Sequence, residues 1–263
     1  MRRRRSVRFA SLSPRTTSSS NAVSELEINV KYLAISAHPD DLEILCAGTL
    51  RLLVERGDTV TMSNIARGDA GSFTHTPNEI AAIRAAEGAS GASLIGADYI
   101  AGSISDGRVN AADEGQRELV VDLIRRVAPD VIITHAPNDY MPDHNEVSKL
   151  VFDAAFTASL PNYITEHHAH GFVPVIYYMD TMAGVEFLPT EYVDISDTID
   201  AKRAAFTEHQ SQLTWLLDHD GVDMLEQITT VARFRGLQSG VHMAEGFTVC
   251  RTWLRTPAAR LLP

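Results

Sequence analysis

Residues 30–43 read VKYLAISAHPDDLE, and this stretch decides the fold class. Its first half is a short apolar run with the length of a buried strand, and apolar residues then recur at helical spacing over residues 42–53. The turn between strand and helix therefore carries one imidazole and two carboxylates, those of His38, Asp40 and Asp41. In an open α/β sheet, ligands bind beyond the carboxyl ends of the strands. This turn is thus a candidate functional site.

The rest of the chain alternates strand-like and helix-like segments. Strand patterns are predicted at residues 30–36, 59–66, 97–104, 130–135 and 173–179. Helical patterns are predicted between them, at residues 42–53, 78–94, 119–127 and 147–158, and less regularly near residues 199–217 and 225–234. Such alternation is typical of βαβ units, so we expect an α/β fold with a mainly parallel sheet.

Length and charge limit the domain organisation. A chain of 263 residues, 44% of them apolar, can bury one large core, and we expect a single domain over residues 29–263. Residues 1–23 hold six arginines and no acid, which predicts a disordered basic arm over residues 1–28, with an over-extended start and a transit peptide as the alternatives. Without those six charges the net charge falls from −11 to −17, which disfavours nucleic acid and anionic membrane surfaces as partners.

The sequence shows no sign of membrane insertion. No apolar run approaches the roughly 18 residues that a membrane span needs. The two cysteines, Cys46 and Cys250, form no motif, and so low a cysteine content suits a reducing compartment. We expect a cytoplasmic protein without a membrane span, and the sequence leaves a homo-oligomer open.

Two distant segments supply a set of metal-binding side chains. Catalytic zinc usually takes three protein ligands, and His38, Asp41 and His144 match that number. His38 and Asp41 are three residues apart, so both reach one side of the turn, while His144 lies at or just before the first turn of the helix after the fourth strand. Asp40 is then free to act as a general base towards water. This hypothesis requires His144 within about 6 Å of His38 or Asp41, and helix capping by the two acids is the alternative.

Two motifs make the pattern specific. AHPDDLE at residues 37–43 and PDH at residues 142–144 resemble the motifs of the LmbE-like, or PIG-L, deacetylase superfamily, with softer similarity at Thr134, His135, residues 202–212 and residues 244–247. The resemblance implies a Rossmann-like three-layer α/β/α fold and removal of an N-acetyl group from a glucosamine-containing small molecule. It also implies one Zn²⁺ ion per chain, with other divalent ions open, bound by the three ligands named above beside Asp40 as the base.

The sequence departs from the superfamily pattern at Met141. Many members carry a histidine there, which stabilises an oxyanion or protonates the departing amine, and a thioether does neither. Losing one such donor typically adds about 2.7–4 kcal/mol to the barrier. His135, at the end of the fourth strand, is our candidate catalytic substitute, with support of a metal ligand as the alternative role. His242 is a further histidine that could substitute.

Four further residues are candidates at the site. The resemblance suggests that Arg84 reaches a sugar hydroxyl or phosphate, while an ion pair with Glu87 is the alternative. Asp106 precedes a glycine after the third strand, where it could accept hydrogen bonds from sugar hydroxyls or simply form a turn. We expect Met141 to face the substrate, and Asp143 to orient a neighbouring catalytic group or cap a helix.

Three functions are compatible with these residues. The first is a zinc-dependent deacetylase with a small amino-sugar substrate. The second is a zinc-dependent hydratase of the oxalomesaconate type, which occurs in the same superfamily, and the third is a nucleotide-binding module without catalysis. Release of free amine distinguishes the first from the second, and bound nucleotide without metal would favour the third. Trp215 and Trp253 are expected to pack in the core or at its rim, with stacking on a sugar as the alternative.

Overall fold

The computed structural model describes residues 29–253, 255 and 261–263, and the predicted basic arm lies outside them. Seven strands occur in this part of the chain: β1 Lys31–Ser36, β2 Thr59–Asn64, β3 Asp98–Ile100, β4 Val131–His135, β5 Val175–Met179, β6 Glu191–Asp194 and β7 Ala244–Val249. They form one sheet in the order β3-β2-β1-β4-β5-β7-β6. Strands β1 to β5 pair in parallel, and β7 pairs antiparallel with β5 and β6.

Helices cover both faces of this sheet. The α-helices in the described residues are α1 Asp41–Leu45, α2 Ala47–Glu55, α3 Pro77–Ile95, α4 Glu114–Val127, α5 Pro142–Thr157, α6 Ile199–Thr207, α7 Gln210–Trp215 and α8 Met224–Ser239, with a π-helical turn, Leu216–Asp220, after α7. Helices α4 and α5 share one apolar core, whereas α1, α2, α3, α6 and α8 share the other. The expected mainly parallel three-layer α/β/α fold is confirmed.

Strand β1 shows why the sheet is buried on both faces. Successive strand residues point to opposite faces of a sheet. Tyr32 and Ala34 accordingly lie in one apolar core, and Leu33 and Ile35 lie in the other. A continuous apolar run is what a doubly covered parallel strand requires.

The strand order brings the two motifs together. Strand β1 lies between β2 and β4, and Ile35 is in register with Thr134. The chain therefore leaves β1 and β4 at adjacent points on the carboxyl edge of the sheet. The order of connections reverses here, which makes this edge the topological switch point at which open α/β sheets bind ligands.

The helix predicted over residues 42–53 is interrupted in the structure. Cys46 has φ −144° and ψ 6°, so α1 ends there and α2 begins after it. The new helix terminus is capped by Glu245, whose carboxylate accepts the amides of Gly48 at 3.0 Å and Thr49 at 2.8 Å. The capping group lies far away in sequence, so the local pattern could not indicate the interruption.

The last third of the chain differs most from the prediction. The helix expected near residues 199–217 is divided at His209 into α6, α7 and the π-helical turn. Strands β6 and β7 were not predicted, and β3 is shorter than the expected strand at residues 97–104. None of the helices in the described residues combines the length and the apolar character that crossing a membrane requires.

Candidate active site

The first motif forms a strained turn after β1. Asp40 has φ 109°, a left-handed value that residues other than glycine rarely adopt and that is often found at functional sites. The amide of His38 donates to Asp41 Oδ2 at 2.7 Å, which folds the turn back on itself. The Asp40 side chain makes no capping hydrogen bond to α1. Helix capping therefore does not account for this carboxylate.

His38, Asp41 and His144 come together at the switch point. One ligand atom from each lies within 4.8 Å of the others. His144 Nε2 is 3.4 Å from Asp41 Oδ1, and His38 Nδ1 is 3.5 Å from Asp41 Oδ2. Asp41 Oδ1 and His144 Nε2 are buried and have no hydrogen-bond partner among the described residues. Unpaired buried polar atoms are unfavourable, and a cation would satisfy both, so the three residues fit a divalent metal.

Two carboxylates stand behind the imidazoles. Asp139 Oδ2 lies 2.9 Å from His144 Nδ1, and Asp143 Oδ2 lies 3.1 Å from His38 Nε2. Each carboxylate occupies one ring nitrogen and leaves the other, His144 Nε2 or His38 Nδ1, facing Asp41. Carboxylate–histidine pairs of this kind orient metal ligands. Asp143 thus contacts the His38 ring, and the expected role of orienting a neighbouring catalytic group stays a prediction.

Sequence reasoning missed Asp139. The available signal was its place in the loop between β4 and α5, five residues before His144. A loop carboxylate at that distance is not diagnostic by itself, because its reach depends on how the loop folds. In the structure Asp139 is tied to α5, since its amide donates to Asn145 Oδ1 at 2.9 Å.

The buried carboxylates at this site stabilise positive charge on the neighbouring histidines. Burial opposes protonation of His38, but Asp143 and Asp41 outweigh it and raise the pKa of His38 to about 10. Burial likewise opposes protonation of His144, and Asp41 and Asp139 raise its pKa to about 9. Burial alone would raise the pKa of Asp41, yet His144, His135 and His38 hold it well below its usual range. Surroundings that stabilise imidazolium ions also suit a cation that replaces the protons.

Asp40 borders a cavity beside the three candidate ligands. Its Oδ1 is 3.2 Å from Arg84 Nη2, and that guanidinium also donates to the carbonyl of Pro39 at 2.5 Å. Burial raises the pKa of Asp40 to about 6, against the opposing effect of Arg84. The alternative pairing of Arg84 with Glu87 is not formed, because Glu87 accepts from the amide and hydroxyl of Ser211.

His135 lies behind the candidate ligands. It is fully buried and stacks on His144 with the ring centroids 3.8 Å apart. Its Nε2 accepts the amide of Ala37 at 2.9 Å and is 3.3 Å from Asp41 Oδ2. It is not among the residues that line the cavity. This geometry fits the alternative role, support of a metal ligand, because the ring packs against His144 and does not reach the cavity.

The remaining candidates divide between the cavity and the surface. Asp106 lines the cavity, and it accepts the amides of Gly68 at 2.8 Å and Ala70 at 3.1 Å, which holds residues 67–73, the glycine-rich loop after β2, in place. Met141 also lines the cavity, and its contact with a substrate stays a prediction. His242 is exposed and is not a lining residue.

The cavity has a volume of about 480 Å³, and its charged groups are mainly acidic. It is lined by four carboxylates: Asp40, Asp41, Asp106 and Asp220. Among the described lining residues Arg84 is the only arginine or lysine, and it faces Asp40. Without a bound metal ion, acidic side chains therefore outnumber basic ones in the lining of the cavity.

The fold and the site define a Rossmann-like α/β protein with a candidate mononuclear metal centre at its switch point. Residues 33–155 match the PIG-L family, which is described as GlcNAc-PI de-N-acetylase, and they include both motifs. The segment of this chain that carries both motifs is therefore similar to the PIG-L family. It is 29% identical over 235 residues to the diacetylchitobiose deacetylase of Thermococcus kodakarensis, a match that covers 82% of this chain and 81% of the relative.

Solved structures support the same fold. A 4-carboxy-2-hydroxymuconate hydratase from Pseudomonas putida KT2440 has a TM-score of 0.74 at 23% identity, covering 88% of this chain and 100% of the hydratase. An N,N'-diacetylchitobiose deacetylase from Pyrococcus horikoshii has a TM-score of 0.74 at 24% identity, covering 85% of each chain. At these identities the similarity establishes architecture, and the reaction must be argued from the site.

Proposed function

We propose that the protein is a zinc-dependent hydrolase that removes the N-acetyl group from an N-acetylglucosaminyl small molecule. The observation that carries the proposal is the position of Asp40, a buried carboxylate that borders the cavity beside three side chains that fit a cation. The named relative and the matched family both act on N-acetylated glucosamine units, which supports the same substrate class here.

The roles of the residues follow from their places in the site. His38, Asp41 and His144 would hold the zinc, which when bound supplies a Lewis acid that polarises a carbonyl oxygen and activates water. Asp40 accepts a proton from the water whose oxygen attacks the acetamide carbon. As the carbon–nitrogen bond breaks, Asp40 returns that proton to the nitrogen, and acetic acid and a free amine result, which exchange a proton to give acetate and an ammonium ion. Arg84 holds the Asp40 carboxylate in place from 3.2 Å.

Apart from the charge of a bound metal ion, the side chains that line the cavity favour this reaction over hydration. An N-acetylated sugar is neutral, and its product is an ammonium ion that the surrounding carboxylates stabilise. The substrate of the hydratase neighbour is a carboxylated muconate, which needs cationic groups to balance its charges. Arg84 is the only arginine or lysine among the described lining residues, and it is already engaged by Asp40.

Amine release tests the proposal. The zinc-loaded protein is incubated with N-acetylglucosamine and with N,N'-diacetylchitobiose, and the free amine is quantified. We expect turnover that a chelator abolishes and added zinc restores. Asp40→Asn should retain zinc and lose at least about 100-fold in kcat, because the general base is removed. The matched control Asp98→Asn alters an exposed acid on β3 and should leave kcat unchanged.

Two outcomes would contradict the proposal. Full activity of Asp40→Asn would remove Asp40 from the role of base. Hydration of a carboxylated diene without any amine release would transfer the protein to the hydratase class.

A cytoplasmic location is also part of the proposal, and the two buried free cysteines support it. A homo-oligomer stays an untested expectation.

A further inference from the structure

An aromatic cluster stands at the mouth of the cavity. Phe73 and Trp215 have ring centroids 4.4 Å apart, and Trp215 and His219 stack with centroids 4.5 Å apart and an interplanar angle of 14°. We call Phe73, Trp215 and His219 the rim cluster. Trp215 lines the cavity, and Phe73 is 70% exposed. A group of rings this exposed is unusual unless it meets a ligand or a partner.

Two segments that play no part in the proposed catalysis hold the rim cluster. Phe73 lies in the glycine-rich loop after β2, and Trp215 is the last residue of α7. His219 lies one turn later, in the π-helical turn, and its Nδ1 is 2.7 Å from Asp220 Oδ1. Single π-helical turns occur frequently at functional sites. The loop after β2 and the π-helical segment after α7 thus meet at the mouth of the cavity and form the cluster there.

Polar groups lie directly beside the rings. A β-carbon built on Gly71 would lie 3.5 Å from Gln212 Oε1, 3.6 Å from Trp215 Nε1 and 3.8 Å from Arg84 Nη1, so these three groups converge on one point. The indole N–H of Trp215 donates to no acceptor in the described part of the chain. Because Arg84 also contacts Asp40, the rim cluster continues directly from the catalytic centre.

We propose that the rim cluster is a subsite for an uncharged second ring, a pyranose joined to the N-acetylglucosaminyl unit that is hydrolysed. This inference rests on the proposed function and names its substrate as a disaccharide. The apolar face of a pyranose stacks on the indole of Trp215, and its hydroxyls bond to the indole N–H and to Gln212. The acidic lining, with Asp220 at the rim, disfavours a phosphorylated group in the same place.

The kinetic test compares one ring with two. Wild-type protein should have a lower KM for N,N'-diacetylchitobiose than for N-acetylglucosamine. Trp215→Leu should raise the KM for the disaccharide about tenfold, which corresponds to about 1.4 kcal/mol, and leave kcat unchanged. The KM for the monosaccharide should not move. Phe73→Ala, at a largely exposed position, should have a smaller effect in the same direction.

The chain supplies a matched control. Trp253 is 87% exposed and lines a different cavity with Phe152 and Phe156. Trp253→Leu should therefore change neither KM. The sequence contains only two tryptophans, so Trp253→Phe leaves Trp215 as the single indole reporter. In Trp253→Phe combined with Asp40→Asn, saturating diacetylchitobiose should shift the indole emission, whereas N-acetylglucosamine should not.

The outcomes separate the two proposals. No amine from either sugar would refute the proposed function, and the emission titration would still decide the subsite. An equal increase in KM for both sugars in Trp215→Leu would overturn the subsite alone. So would an indole emission spectrum of the Trp253→Phe, Asp40→Asn protein that the disaccharide leaves unchanged. Tighter binding of N-acetylglucosamine 1-phosphate than of the disaccharide would overturn the assignment of an uncharged ring.

Discussion

Replacing Asp139 by asparagine should weaken metal binding while leaving all three candidate ligands in place. Asp139 Oδ2 lies 2.9 Å from His144 Nδ1, and Asp139 Oδ1 accepts the amide of Met141 at 2.9 Å. Asparagine has almost the same shape, and its amide oxygen can keep the bond to Met141. It lacks the negative charge that orients the His144 ring and makes it a stronger ligand.

The size of the effect follows from burial. Removing the carboxylate behind a metal-binding histidine typically lowers metal affinity about 10- to 100-fold, which corresponds to about 1.4–2.7 kcal/mol. The side chain of Asp139 is 1% exposed and that of His144 is fully buried, so water and salt screen their interaction little. We therefore expect Asp139→Asn to lower the metal affinity by a factor in the upper half of this range.

Competition with a chromophoric zinc chelator measures the affinity. Asp143→Asn, which alters the carboxylate behind His38, should cause a loss of similar size, because its bond of 3.1 Å is comparable. Asp153→Asn, at an exposed position on α5, is the matched control and should bind zinc like the wild type. An Asp139→Asn protein that binds zinc as tightly as this control would refute the assignment of His144 as a ligand that Asp139 supports.

Two further predictions concern stability. Glu245→Ala should destabilise the protein by about 3–5 kcal/mol, measured as the shift in urea unfolding, because it leaves the ammonium of Lys202 buried without its partner. Gly102→Ala should also unfold at lower urea, because its β-carbon would clash with the carbonyl oxygen of Ile65. Gly171→Ala meets nothing within 4 Å and should unfold like the wild type, and equal midpoints for the two alanine variants would contradict the clash.

The local features of the site could be predicted from the sequence because short chain distances impose them. Apolar periodicity identified the five parallel strands and most of the helices. His38 and Asp41 are three residues apart on a turn, so they meet whatever the rest of the chain does. The expectation that ligands gather at the carboxyl edge of the sheet required only the alternation of strands and helices.

The contacts that complete the site depend on the order of the strands and the packing of the helices. His144 reaches Asp41 because β4 pairs with β1, and Arg84 reaches Asp40 because α3 packs against the turn. Asp139 likewise reaches His144 only because of the way the loop between β4 and α5 folds. Neither periodicity nor spacing indicates which distant helix supplies a charge, because many pairings satisfy the same local pattern.

The sequence by itself determined the fold class and the chemical types available at the switch point, because periodicity and turn residues act over a few positions. Only the tertiary structure decided that the predicted helices are interrupted at Cys46 and near His209, that β6 and β7 extend the sheet, and that Trp215 lies at the cavity. Glu245, which caps α2 from nearly 200 residues away, shows the physical reason. A buried polar group needs a partner, and the fold determines which distant residue provides it.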